Sequence, residues 1–209
     1  YIFILLILIP FTGVNALQYS ISSQYLTNGL VVNPAYAGSR GAMSVNLSYR
    51  RQWAQIKGAP EFENITLHTP VTKKEKVALG MMVNRTAYGI TRTTGIYGFY
   101  AYSIATGPGR LALGLKGGLD ITNANYGDTH VIEPGDPEFA GTKSYSLPNI
   151  GAGVYYYTDK YFAGLSVPSI LSYHQSKNSE YSVYYNHKLD RIFLSGGYLV
   201  DVSESFKIK

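Results

Sequence analysis

Met43-Ser44-Val45-Asn46-Leu47-Ser48-Tyr49-Arg50 alternates apolar and polar residues without a break. Side chains on a strand point to opposite faces in turn. Met43, Val45, Leu47 and Tyr49 therefore make a greasy face, and Ser44, Asn46, Ser48 and Arg50 a wet one. A soluble sandwich buries a core with the same alternation, whereas a membrane barrel turns its apolar face to lipid. The connections between such runs separate the two.

Alternation predicts strands at about 43–56, 62–70, 77–86, 95–106, 110–122, 149–158, 160–168 and 190–202, with a ninth starting at 206. In 110–122, Leu111, Leu113, Leu115, Leu119 and Ile121 share one face, and Ala112, Gly114, Lys116, Gly118 and Asp120 the other. Most of these spans match the ~9–11 residues that a tilted transmembrane strand needs. Pro60, Pro70, Pro108, Pro134, Pro137, Pro148 and Pro168 are all expected in connections or at strand ends, because proline has no amide to donate to a ladder. Val71–Lys76, Gly107–Gly109, Thr158-Asp159 and Ser203–Ser205 read as compact connections. Thr86–Thr94, Asn123–Pro148 and Ser169–Asp190 read as long ones, and Lys57–Glu61 as intermediate. Long loops at one end and short turns at the other are the plan of outer-membrane barrels, whose short turns are periplasmic. The expected fold is an all-β, transmembrane, antiparallel up-and-down outer-membrane β-barrel.

The aromatic residues fit that plan. Tyr155, Tyr156 and Tyr157 precede the Thr158-Asp159 turn, Tyr161 and Phe162 follow it, and Tyr97, Phe99, Tyr100 and Tyr102 lead toward Gly107. They are expected to form an interfacial girdle. A soluble β-protein would need a second layer over so long a sheet, and no helical pattern in the sequence supplies one.

The 209 residues include 22 Gly and 20 Tyr but no Cys, which excludes a disulfide framework and thiolate-bound metal. The formal charge of +5 is spread out, with local clusters only at Arg50-Arg51 and at Lys73-Lys74 with Lys76, so nucleic acid is not an expected partner. Tyr1–Ile9 is an apolar run followed by Val14-Asn15-Ala16, small residues at the spacing of a signal-peptide cleavage site. The expected organisation is a signal peptide over 1–16 lacking its basic start, then a periplasmic lead-in over 17–42. Residues 43–209 would be the N-terminal part of one barrel, truncated before its closing strands.

Residues able to carry chemistry are sparse. His68, His130, His174 and His187 are scattered, with no pair at metal-ligand spacing. Asp136-Pro137-Glu138 lacks the repeated ligands of a calcium loop and reads as a turn. Gly114-Leu115-Lys116-Gly117-Gly118 has no helix after it and is not a phosphate loop. No catalytic, cofactor or metal residues are assigned. Arg50, Lys116 and Asp120 fall on polar strand faces and are expected to line the lumen. Asn33-Pro34-Ala35-Tyr36-Ala37-Gly38-Ser39-Arg40-Gly41 does not alternate and is rich in turn residues. Two readings stay open for it: a solvated lead-in, or a segment folded into the lumen or docked on a partner.

Several strings, taken in order, resemble the PorP/SprF family. They are Gln24-Tyr25, Asn33–Gly41, Tyr49-Arg50-Arg51-Gln52-Trp53, Gly58-Ala59-Pro60, His68-Thr69-Pro70 and Leu113–Gly118. Asp136-Pro137-Glu138-Phe139, Asn149–Tyr157, Tyr161–Pro168 and Gly197-Tyr198 continue the match over essentially the whole mature chain. The resemblance implies a non-enzymatic outer-membrane component of the type IX secretion and gliding machinery of Bacteroidota. Such proteins work with periplasmic and lipoprotein partners and with secreted cargo bearing a C-terminal sorting domain. Partner contacts are expected first at Asn33, Pro34, Tyr36, Gly38 and Arg40, and at Asp136 and Phe139 in the longest loop. The alternative is a porin-like diffusion channel, and a third reading is a hydrolase with Ser, His and Asp near the rim.

Overall fold

The structure, a computed structural model, describes residues 27–53, 55–72, 75–126, 142–175, 181–185, 192–203 and 206–208. The expected signal peptide and the loop positions Asp136 and Phe139 lie outside them. The strands are β1 (Ser44–Arg51), β2 (Glu61–Pro70), β3 (Val77–Tyr88), β4 (Thr91–Thr106), β5 (Gly109–Asn125) and β6 (Thr142–Tyr157). Then follow β7 (Tyr161–Val167), β8 (Leu171–Gln175), β9 (Tyr181–Tyr185), β10 (Phe193–Tyr198), β11 (Val200–Ser203) and β12 (Phe206–Ile208). β1 to β7 pair consecutively and antiparallel, and β10 completes the eight-stranded sheet beside β7. β8 with β9, and β11 with β12, form separate hairpins.

Alternation survives as burial. On β5, Leu113, Leu115 and Leu119 are exposed, Leu115 by 59%, while Ala112, Gly114 and Lys116 between them are buried. Neighbouring strands keep this register, so Leu47, Ile65, Val83, Ile96 and Leu119 form one row across the outward face. The outward apolar run of β5 spans ten residue steps, Leu111 to Ile121. At ~3.4 Å per residue and a tilt of ~40° it stands about 26 Å tall, close to the ~25 Å apolar band of membrane barrels. No helix among the described residues is long and apolar enough to cross a membrane.

The sheet is curled into a half-barrel, and one short segment shows why. Asn28 bonds to Asn46 of β1 and Thr66 of β2, while the Val32 carbonyl accepts from Ser166 of β7. In a flat sheet β1 and β7 would be six strand spacings apart, about 29 Å. From Asn28 to Val32 the chain winds through a three-residue 3₁₀ helix, Gly29–Val31, and its four residue steps advance only about 8 Å. Wrapping the strands around the segment is what lets it touch both.

Several boundaries differ from expectation. Thr86–Thr94, read as a long connection, is a two-residue turn at Gly89-Ile90, because β3 and β4 continue as a ladder beyond the apolar belt. There the outward residues are polar (Arg85, Arg92), so alternation of hydrophobicity fades while pairing persists. The end asymmetry otherwise holds, with 52–60, 126–141 and 168–192 at one end and 71–76, 107–108 and 158–160 at the other. β6 starts at Thr142 rather than 149, and so contains Pro148. Ile150 accepts from Ile170 on the β7 side, and alternate residues point the same way, so the Pro148 nitrogen faces that side too. The β7 ladder already ends at Ala152–Val167, so no amide is required of Pro148. The expected 169–190 loop carries β8 and β9, and the expected 190–202 strand divides into β10 and β11.

Candidate functional site

The concave face is filled by the chain's own residues 28–38. Asn33 caps a single-turn 3₁₀ helix, Pro34–Tyr36, its side-chain oxygen accepting from the Ala35 amide at 2.9 Å, with Pro34 in the first-turn position that lacks an orphan donor. The remaining Asn33 group, Nδ2, donates to the Val154 carbonyl of β6 at 2.9 Å. Asn28 follows the same logic, donating to the Thr66 hydroxyl at 3.0 Å. Both asparagines are buried, at 4% and 3% exposure, and a buried amide is tolerated only when so paired.

Small residues on the strands make the room. A β-carbon on Gly114 would collide with the Ala35 amide, and one on Gly153 with the Asn33 side-chain oxygen. Ala78, Ala101 and Ala112 continue this lining, against Leu30, Ala35 and Ala37. Glycine within a strand marks close backbone approach. That signal was present in the sequence at Gly114 and Gly153, and sequence reasoning did not connect it to Asn28, Val32 and Ala35.

His68 accepts the Gly38 amide proton at Nδ1, 3.1 Å away, so its ring acts as a structural acceptor inside the half-barrel. Gly38 needs its φ of +76° to turn the chain there. Tyr36 sets its ring edge-on to His68 (5.6 Å) and Tyr155 (5.5 Å). Its hydroxyl accepts from Arg40 Nε at 3.1 Å, and Arg40 Nη2 donates to the Thr27 carbonyl at 3.2 Å. Of the expected contact residues, Asn33, Pro34 and Gly38 are buried against the sheet, and Arg40 is exposed. Tyr36 and Arg40 border a cleft of about 270 Å³ near the 158–160 turn, with Phe162 and Tyr198 opposite.

Arg50, Lys116 and Asp120 lie on the concave face, with Arg50 and Asp120 half-buried and Lys116 only 5% exposed. Its ammonium stands 4.4 Å from the Tyr97 ring centroid, a cation–π contact. The Tyr97 hydroxyl donates to Asp120 Oδ1, and Asn149 Nδ2 donates to Oδ2 at 2.8 Å. The expected girdle is thereby divided. Tyr97, Phe99 and Tyr155 point inward and are buried, whereas Tyr100, Tyr102, Tyr161 and Tyr198 are outward and exposed. Parity within each strand, which the aromatic count ignores, decides the matter.

No group of three or more His, Cys, Asp or Glu able to hold a metal occurs among the described residues. His130 and His187 lie outside those residues, and His174 falls in β8.

The family model described as type IX secretion system membrane protein PorP/SprF matches residues 14–209. No curated protein and no solved structure matches the chain.

Proposed function

Since the chain belongs to the PorP/SprF family of type IX secretion system membrane proteins, we propose that it is a non-enzymatic outer-membrane component of that system, helping to export or surface-anchor cargo with a C-terminal sorting domain. The observation that carries this reading is the family match over 14–209, joined to a curled sheet with an apolar outward face and a concave face that mixes small, aromatic and polar residues. The short-turn end would face the periplasm and meet the machinery there. Tyr36 and Arg40, which border the cleft at that end, would take part, and the loop carrying Asp136 and Phe139 would meet cargo at the opposite end.

The diffusion-channel reading draws support from the polar residues of the concave face, Arg50, Lys116 and Asp120 among them, but residues 28–38 occupy that face and bond to strands from β1 to β7. A filled interior suits a docking scaffold better than a pore.

The test is affinity purification of the full-length tagged protein from gently solubilised membranes, followed by mass spectrometry. Recovery of sorting-domain cargo or type IX motor components is the expected result. A barrel that reproducibly emerges alone and conducts steadily in planar bilayers would overturn the proposal in favour of the channel.

A further inference from the structure

The outward face changes character at one level. Val83 on β3, Ile96 on β4 and Leu119 on β5 stand in one apolar row. Two rows further toward the 89–90 turn, the register brings Arg51, Glu61, Ala87, Arg92 and Asn123 side by side. Arg85 lies in the row between, paired with Thr94. Arg85 and Arg92 are thus diagonal neighbours on adjacent strands and on one face, about 7–8 Å apart at the backbone. Two guanidinium forks at that spacing can close on one anion between them.

A groove of about 790 Å³ opens here, bordered by Lys57, Glu63, Arg85, Arg92, Asn123 and Asn125 among others. Its floor is fixed by the Gly89 amide donating to the Gly58 carbonyl at 2.9 Å, which ties the 52–60 connection to the turn. Among the described residues the ion pairs are Arg51–Glu61 at 3.1 Å and Arg110–Glu75 at 3.3 Å, so neither Arg85 nor Arg92 has a carboxylate within ion-pair distance. Glu61 also lines the groove but is already held by Arg51. Among the described residues of the lining, Lys57, Arg85 and Arg92 then face one remaining carboxylate, Glu63, which the register sets directly opposite Arg85, so the positive charges outnumber it and the groove favours an anion.

We propose that this groove binds the phosphorylated headgroup of a membrane lipid, with Arg85 and Arg92 on the phosphate and the acyl chains lying on Val83, Ile96 and Leu119. The continuity of charge with the apolar belt selects a lipid over a free anion. An anion alone would not need its site at the upper edge of a hydrocarbon-facing surface. The inference rests on the reading that the strands span a membrane.

The test uses the full-length protein, purified and delipidated, in native mass spectrometry with either phosphatidylglycerol or a neutral galactosyl-diacylglycerol of matched chains. The parent should retain phosphatidylglycerol at least about tenfold better, the scale of one or two charge-assisted hydrogen bonds. Arg85→Gln with Arg92→Gln should erase that preference, and the double Lys variant should keep part of it. Both arginines are exposed, so folding is not at stake. Equal retention of both lipids by the parent, or a preference that persists in the Gln variant, overturns the proposal while leaving the membrane reading intact. Displacement of phosphatidylglycerol by inorganic phosphate at equal concentration overturns the lipid assignment. Retention of neither lipid also overturns the proposal, while the membrane reading is decided separately by quenching of Leu115→Trp by brominated acyl chains.

Discussion

At the scale of single residues, the inner segment is held to the concave face by buried polar side chains with named partners. Asn33→Ala removes both the acceptor for Ala35 and the donor to Val154. It should lower stability by about 1–3 kcal/mol, read as a shift in the urea midpoint of the refolded full-length protein. Asp120→Ala removes the carboxylate that accepts from both the Tyr97 hydroxyl and the Asn149 amide and should cost about as much in the same assay. Lys116→Met should behave differently. It exchanges a buried ammonium resting on an aromatic ring for an apolar side chain of like length, so the variant should be at least as stable as the parent. A loss of more than about 1 kcal/mol at this position would show that the Lys116–Tyr97 contact outweighs desolvation.

At the scale of elements, residues 28–38 and the sheet define each other's shape. Gly114→Val places a branched side chain where the Ala35 backbone lies, and backbone cannot give way as a flexible side chain does. Residues 27–41 should then leave the half-barrel, and trypsin should cut after Arg40, which is exposed, far faster than in the parent. The same displacement should raise planar-bilayer conductance, whereas the parent should remain closed. Equal cleavage and equal current in both proteins would contradict an inner segment that fills the interior. Alternation in the sequence located β1 to β7 within a few residues, because each carries an apolar outward face through the belt. It failed where that face turns polar, at the ladder joining β3 to β4, and where pairing continues through Pro148. Hydrogen bonding, unlike hydrophobic contrast, does not stop at the edge of the belt.

For the whole molecule, the outward face is the functional surface most plainly set by chemistry. Leu115→Trp should be quenched strongly by brominated acyl chains in reconstituted vesicles, since Leu115 is 59% exposed on that face. Ala112→Phe would test the opposite face, where Ala112 is 1% exposed against the inner segment, and should impair assembly instead. Quenching too weak to distinguish Leu115→Trp from the parent would contradict the lipid-facing assignment.

By itself the sequence determined the all-β class, the antiparallel order of neighbours, which side of each strand is apolar, and, through its run of matched strings, the family. These properties follow from period-two patterning and short connections, which are local and legible one residue at a time. Only the tertiary structure decided that Asn33 to Gly38 turn inward rather than lie solvated, and that Tyr97, Phe99 and Tyr155 pack there instead of joining a girdle. It also brought Arg85 and Arg92 together on one outward groove. Each of these depends on strand register and sheet curvature. Both arise from pairings between residues far apart in the chain, whose energies no single stretch of sequence carries.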